Sequence, residues 1–227
     1  MTRILFIVCL VLTASEALGG SYEDMILAAQ KGDMVNMEYL MDRGLDPNST
    51  DRDGNSLLTI AITQGSEPLV EFLIRRKAKL EGLNRNGETA LQLAAFKGQV
   101  GVVKRLLAAG ARVDNRGAGW PAIVYATIGG HFEVLKLLVE AKADLDVLAS
   151  NGMTALMFAI QSDREEMARL LIEAGANPDI ATHRGETAYS LSLISGEGRL
   201  TPLIESALTK FLARSQASTL VNPPERP

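Results

Sequence analysis

Residues 87–110 read GETALQLAAFKGQVGVVKRLLAAG, a stretch rich in Leu, Ala and Val that is bounded by glycines. It begins near Thr89, whose hydroxyl oxygen can accept a hydrogen bond from an unpaired amide in the first turn of a helix. Gly98 ends this helix, because glycine adopts the left-handed conformation at little cost. From Val100 to Ala108, apolar residues recur on one face at helical spacing, and Gly110 follows. The stretch therefore predicts a helix, a turn and a second helix.

The same arrangement recurs along the chain, and three positions mark each unit. The turn glycines before the first helix are Gly54, Gly87, Gly119, Gly152 and Gly185, at spacings of 33, 32, 33 and 33 residues. The residues that end the first helix are Gly65, Gly98, Gly130, Asp163 and Gly196. Those that end the second helix are Gly44, Lys77, Gly110, Lys142 and Gly175. Because neither helix can bury its apolar face alone, the repetition predicts a solenoid of stacked units.

The unit resembles the ankyrin repeat, whose pattern is Gly-x-Thr-Pro-Leu-His-x-Ala-Ala-x-x-Gly-His, followed by Leu-Leu-x-x-Gly-Ala. Residues 87–95 (GETALQLAA) and 152–159 (GMTALMFA) match its first part, and residues 130–138 (GHFEVLKLL) and 170–177 (LLIEAGAN) match the rest. The resemblance covers about residues 21–213. It implies an all-α ankyrin-repeat solenoid of about six helix-turn-helix units, with capping repeats at both ends.

The chain departs from the family pattern at several positions. The proline of the Thr-Pro pair is absent from every unit, and Pro121 replaces the capping Thr in the shortened unit. Lys77 and Lys142 replace the glycine that ends the second helix, at about 1 kcal/mol each if they must be left-handed. The family pattern implies a structural hydrogen bond for His131, which stands in the Gly-His position.

The N-terminus predicts a signal peptide. Arg3 and the amino terminus are positively charged, the apolar run Ile4 to Ala14 spans 11 residues, and small residues follow. This pattern predicts cleavage after Ala17 or Gly19. Crossing a bilayer takes about 20 apolar residues, so a permanent membrane helix is less favoured. A helix that stays attached and packs on the domain is the alternative.

These patterns divide the chain into three parts. We expect a cleaved signal peptide at residues 1–19, an ankyrin-repeat domain at residues 20–213 and a flexible C-terminal tail with three prolines at residues 214–227. The single cysteine, Cys9, lies in the predicted signal peptide, so the mature chain would carry no thiol. A protein without thiols suits an oxidising compartment, and we predict a periplasmic location.

Composition excludes several classes of function. The chain has 23 basic and 27 acidic residues and a net charge of −4, whereas binding nucleic acid or an anionic membrane requires a basic face. One Cys and two His exclude a Cys-rich zinc module and a disulfide scaffold. Nothing in the sequence singles out a convergent acid, base and nucleophile. We therefore predict no enzyme activity, no catalytic residue, no metal and no cofactor.

The resemblance implies a concave binding surface made of the turn tips and the exposed side of the first helices. Four residues at its free positions are large and apolar, and they fall in three adjacent units, which predicts an interaction patch. The predicted partner-binding residues are Phe96, Trp120, Ile128, Met153, Arg85, Lys97, Arg184 and Arg52. In the alternative interpretation, Trp120 folds back over Pro121, and Phe96 covers a neighbouring repeat.

Family and predicted compartment together suggest the partner. We expect the mature protein to be a monomer when free and to bind one exported protein, with no nucleic acid and no membrane. A peptidoglycan hydrolase that it inhibits, in an immunity role, is the leading candidate. The alternatives are an accessory factor for oxidative-stress defence that supports an exported catalase, and a secreted effector that binds a host protein.

Overall fold

A computed structural model describes residues 22–114, 119–195 and 198–221, and these residues form twelve helices without a strand. The predicted signal peptide lies outside the described residues. In chain order the helices are α1 (22–31), α2 (Met34–Asp42), α3 (Leu57–Gln64), α4 (Glu67–Arg75), α5 (Ala90–Phe96), α6 (Val100–Ala108), α7 (Ala122–Gly129), α8 (Phe132–Glu140), α9 (Ala155–Gln161), α10 (Glu165–Glu173), α11 (Ala188–Ile194) and α12 (Thr201–Val221). Each consecutive pair of helices is one repeat, so the structure has the six predicted units.

Side-chain caps begin most of the first helices, as the sequence predicts. Thr89 Oγ1 accepts from the amide of Gln92 at 3.3 Å, and Gln92 Oε1 accepts from the amide of Thr89 at 2.8 Å. This reciprocal pair satisfies two amides that the helix leaves free. In the shortened fourth repeat, Pro121 has no side-chain oxygen for this role. Helix α7 nevertheless begins at Ala122, because the proline ring fixes φ at −53° and carries no N–H that needs a partner.

The residues that replace glycine at helix ends are left-handed. Lys77 and Lys142 have φ values of 59° and 64°, and Asp163 has a φ of 53°. The conformation that the sequence predicts for the two lysines is thus confirmed. A side chain in this conformation costs about 1 kcal/mol relative to glycine.

Helices of adjacent repeats pack in two layers. The first helices α3, α5, α7, α9 and α11 contact one another in sequence, and the second helices α4, α6, α8 and α10 do the same. The core lies between the layers. Its register is visible in four fully buried leucines at equivalent positions of the second helices: Leu73, Leu106, Leu138 and Leu171.

The loops that join the repeats are linked by equivalent hydrogen bonds. In each link, a side-chain oxygen of one loop accepts from a backbone amide of the next loop. The four pairs, acceptor first, are Asn48 with Lys79 at 2.7 Å, Glu81 with Arg112 at 2.8 Å, Asp114 with Asp144 at 3.0 Å, and Asp146 with Asn177 at 2.8 Å. Short polar side chains in the loops therefore help to set the register between repeats.

The last helix extends farther than the repeat pattern suggests. Helix α12 runs from Thr201 to Val221, so the predicted boundary between domain and tail at residue 213 falls inside it. Residues 201–221 contain no glycine, and their single proline, Pro202, lies in the first turn, where a helix tolerates it. The prolines of the predicted tail are in residues 222–227, outside the described residues. Within the part of the chain that the structure describes, no helix is both long and apolar enough to span a membrane.

Candidate partner-binding surface

The solvent-facing side of the first helices and the turns before them form one surface, which we call the inner face. Its central part carries four aromatic side chains from three consecutive repeats. They are Phe96 at the end of α5, Trp120 in the turn before α7, Tyr125 in α7 and Phe158 in α9. We call this set the aromatic row.

The rings of the aromatic row are in sequential contact. The centroids of Phe96 and Tyr125 lie 5.4 Å apart in an edge-on arrangement with an interplanar angle of 62°. Tyr125 stacks with Trp120 at 6.2 Å, and Trp120 packs against Phe158 at 5.4 Å. Phe96 is 49% exposed, Tyr125 and Trp120 are half-buried, and Phe158 is buried. The row therefore rises from the core at Phe158 to the surface at Phe96.

Polar contacts hold the middle of the row in place. Tyr125 donates a 2.6 Å hydrogen bond to the buried carboxylate of Glu88, which also accepts from Asn84 Nδ2 at 3.0 Å. Trp120 Nε1 donates to Ser150 Oγ at 2.7 Å. The carbonyl oxygen of Trp120 accepts from Gln92 Nε2 at 2.9 Å. Trp120 is thus tied to the repeats on both sides of its own.

The phenol of Tyr125 keeps its proton at neutral pH. Burial is the main cause that raises its pKa, and the hydrogen bond with Glu88 and the negative charge of that carboxylate raise it further, to about 12. The hydroxyl is therefore a permanent donor to Glu88 under physiological conditions.

Comparison with known proteins identifies the family. A family model described as ankyrin repeats in three copies matches residues 25–117 and 102–182. The chain belongs to the ankyrin-repeat family. An ankyrin repeat domain from Acinetobacter baumannii, known from a crystal structure, has the same fold, with a TM-score of 0.76 and 23% identity over 80% of this chain and 95% of that one. No curated protein matches the chain.

Ankyrin repeats form protein-binding modules, and this ankyrin-repeat protein has that architecture. The fold is typically a non-enzymatic interaction module. Among the described residues, no group of three or more His, Cys, Asp or Glu side chains could hold a metal ion. The structural hydrogen bond expected for His131 is confirmed, because its Nε2 lies 3.0 Å from the carbonyl oxygen of Phe96.

The two interpretations of the patch in this ankyrin-repeat protein each hold in part. Phe96 does contact the neighbouring repeat through Tyr125, yet about half of its surface stays exposed. Trp120 packs against the next repeat through Phe158. Ile128 is half-buried and packs against the core. Phe96 and Trp120 therefore belong to one surface, and Phe96 is its most exposed ring.

The expectation that Met153 is exposed is wrong. Met153 is 8% exposed and belongs to the core. Its carbonyl oxygen accepts from the amide of Ala149 at 2.9 Å, and its amide donates to Asn151 Oδ1 at 3.1 Å, which fixes the turn. A flexible, apolar thioether side chain then gains more by filling the core than by remaining in solvent.

The predicted cations are exposed, but the structure does not gather them all at the row. Lys97 directly follows Phe96, and Arg85 lies at the turn tip of the same repeat. Arg52 belongs to the preceding repeat, and Arg184 belongs to the last repeat, two units beyond Trp120. Lys97 and Arg85 are thus the cations of the repeat that carries Phe96.

The sequence analysis did not select Tyr125 and Phe158. Both lie four residues after the residue that precedes their helix, at the position occupied by Ile60 and Leu93 in the earlier repeats. The 33-residue register places all four on the same side of the first helices. Aromatic side chains at two successive copies of this position were the signal that could have revealed the row.

Proposed function

We propose that this protein is exported and uses the aromatic row to bind one partner protein outside the cytoplasm. We further propose that the partner is a co-exported enzyme, with a peptidoglycan hydrolase as the leading candidate, and that binding inhibits it in an immunity role. The observation that carries the proposal is the 49% exposure of Phe96 on an ordered row of aromatic rings.

The row is suited to binding because its side chains are already ordered. Tyr125 and Trp120 are held by hydrogen bonds of 2.6 and 2.7 Å, so they lose little conformational freedom when a partner docks. Aromatic side chains commonly dominate interface energies, at about 2 kcal/mol or more each. A rigid surface of this kind inhibits an enzyme by covering its active-site cleft.

The proposed location rests on the N-terminal sequence. The short apolar run after Arg3 and the small residues that follow it are typical of a cleaved export signal. An exported chain would begin at Leu18 or Gly20. Mass spectrometry of the protein from the periplasmic fraction measures this terminus directly, and an intact chain found only in the cytoplasm would refute the proposed location.

Capture from the native host tests partner binding. The full chain with a C-terminal affinity tag is isolated from the periplasmic fraction, and stoichiometric companions are identified by mass spectrometry. Phe96→Ala should lose the partner, because it removes the exposed end of the row. Tyr39→Ala is the matched control, since Tyr39 is an aromatic residue with 56% exposure on helix α2 of the first repeat.

The identity of the captured protein decides between the functions. A hydrolase whose activity falls when the purified protein is added supports inhibition. A captured catalase points to oxidative-stress defence instead, and a hydrolase that stays fully active at saturation excludes the inhibitor role. If Phe96→Ala captures the same partner in the same amount, the aromatic row is not the binding surface.

A further inference from the structure

Charge is distributed unevenly along the inner face around the aromatic row. Three cations lie on its N-terminal side or beside Phe96: Arg52, Arg85 and Lys97. Arg52 and Arg85 occupy equivalent positions in successive turns, and Lys97 directly follows Phe96. The exposed residues of the fifth repeat on this face are uncharged: Ser150, Asn151, Gln161 and Ser162. A partner would therefore meet positive charge on one side of the row and neutral polar groups on the other.

The two arginines are available to a partner despite their ion pairs. Arg52 pairs with Glu23 at 2.6 Å and Arg85 with Asp53 at 3.1 Å, but their side chains are 90% and 71% exposed. Exposed pairs of this kind contribute about 0–1 kcal/mol, so exchanging one carboxylate for another costs little. Lys97 makes no ion pair with any described residue, and its charge is uncompensated next to the most exposed ring.

Nearby carboxylates do not cancel this positive charge. The side chain of Asp51 accepts hydrogen bonds within its own turn, from the amides of Asp53 and Asn55 at 3.0 and 2.8 Å. Glu88 is buried and bonded to Tyr125. Only Glu23 and Asp53 remain as exposed counter-charges, and each already faces an arginine.

We infer that the partner contacts this surface with an acidic segment that carries an apolar anchor. The apolar side chain packs against Phe96, and Asp or Glu side chains on the segment face Lys97, Arg85 and Arg52. This inference rests on the part of the proposed function that assigns binding to the aromatic row, and it requires neither export nor an enzyme as partner.

A polyphosphate fits the surface less well than an acidic peptide. Nucleic-acid binding draws its affinity from many simultaneous phosphate contacts, whereas this face offers three cations on a chain with a net charge of −4. The exposed ring of Phe96 also calls for an apolar side chain. Base stacking on Phe96 is the competing possibility, and a single-stranded oligonucleotide tests it.

The test is selection of random 12-residue peptides displayed on phage against the full chain. We expect the enriched sequences to carry an aromatic or aliphatic residue flanked by Asp or Glu. Binding of synthetic copies, measured by fluorescence anisotropy, should weaken at least about tenfold in the Arg85→Glu/Lys97→Glu variant, because two attractive contacts become repulsive. The Lys104→Glu/Lys136→Glu variant on helices α6 and α8 is the matched control and should change affinity less than about twofold.

Several results would overturn the inference. These are enrichment of basic or uncharged peptides, no enrichment at all, equal weakening by the control variant, or tighter binding of a 20-nucleotide oligo(dT) than of any selected peptide. The outcome is independent of the capture experiment, because no host extract is used. A captured partner together with failed peptide selection would leave the aromatic row as the binding surface and refute only the acidic segment.

Discussion

The hydroxyl of Tyr125 donates a 2.6 Å hydrogen bond to the carboxylate of Glu88, and this bond joins the third and fourth repeats beside the aromatic row. Glu88 is buried, so its charge depends on this donor and on the side-chain amide of Asn84. The ring of Tyr125 also contacts both Phe96 and Trp120. One contact therefore supports the stacking of two repeats and the orientation of the binding surface.

We expect Tyr125→Phe to lower the free energy of unfolding by about 1–3 kcal/mol, because the buried carboxylate of Glu88 loses a donor. Urea denaturation followed by circular dichroism measures this change. Tyr39→Phe is the control, since its exposed hydroxyl accepts from Arg43 on the surface and should change stability by less than about 0.5 kcal/mol. Equal losses in the two variants would show that the Tyr125–Glu88 bond has no special weight.

The same contact predicts a loss of stability in alkali. The pKa of Tyr125 is raised from 10.0 to about 12 in the folded protein, so the folded state holds this proton more tightly than the unfolded state. The resulting stabilisation is fully present below pH 10 and is lost as the pH rises toward 12. Ultraviolet titration should show one of the four tyrosines ionising near pH 12, and this step should be absent in Tyr125→Phe. A full titration of all tyrosines near pH 10 in the folded protein would contradict the prediction.

Lys142→Gly should stabilise the protein by about 1 kcal/mol. Lys142 has a φ of 64°, a conformation that glycine adopts without steric cost. Lys136→Gly is the control for the same chemical change, because Lys136 lies inside helix α8, where glycine costs about 1 kcal/mol. Melting temperatures should therefore move in opposite directions. A lower melting temperature for Lys142→Gly would mean that the side chain contributes more than its backbone costs.

The repeat architecture could be predicted because backbone geometry fixes residue types at regular intervals. The left-handed residue that ends each first helix is a glycine in three of the four described cases, and Asp163 is the exception. Apolar spacing then assigned the helices between these points, and the same register gave the correct conformation of Lys77 and Lys142. These features depend on local backbone conformation, which one sequence carries.

The binding surface was harder to predict because it depends on the direction that side chains take. Glu88, Trp120 and Met153 occupy the same position, directly after the turn glycine, in three successive repeats. Glu88 turns toward Tyr125, Trp120 reaches Phe158, and Met153 enters the core. These directions are set by contacts with the adjacent repeat, which a pattern within one repeat does not contain.

Trp120→Ala should reduce stability as well as binding, whereas Phe96→Ala should reduce binding alone. The ring of Trp120 packs against Phe158 and Tyr125, so its removal should cost about 2 kcal/mol, while truncating the half-exposed Phe96 should cost less than about 1 kcal/mol. Trp120→Phe retains an aromatic ring but loses the hydrogen bond to Ser150, and should recover most of the stability. Urea denaturation of the three variants ranks them. If Trp120→Ala unfolds at the same urea concentration as the parent, Trp120 does not pack against the fifth repeat in solution, and the aromatic row is not a preformed surface.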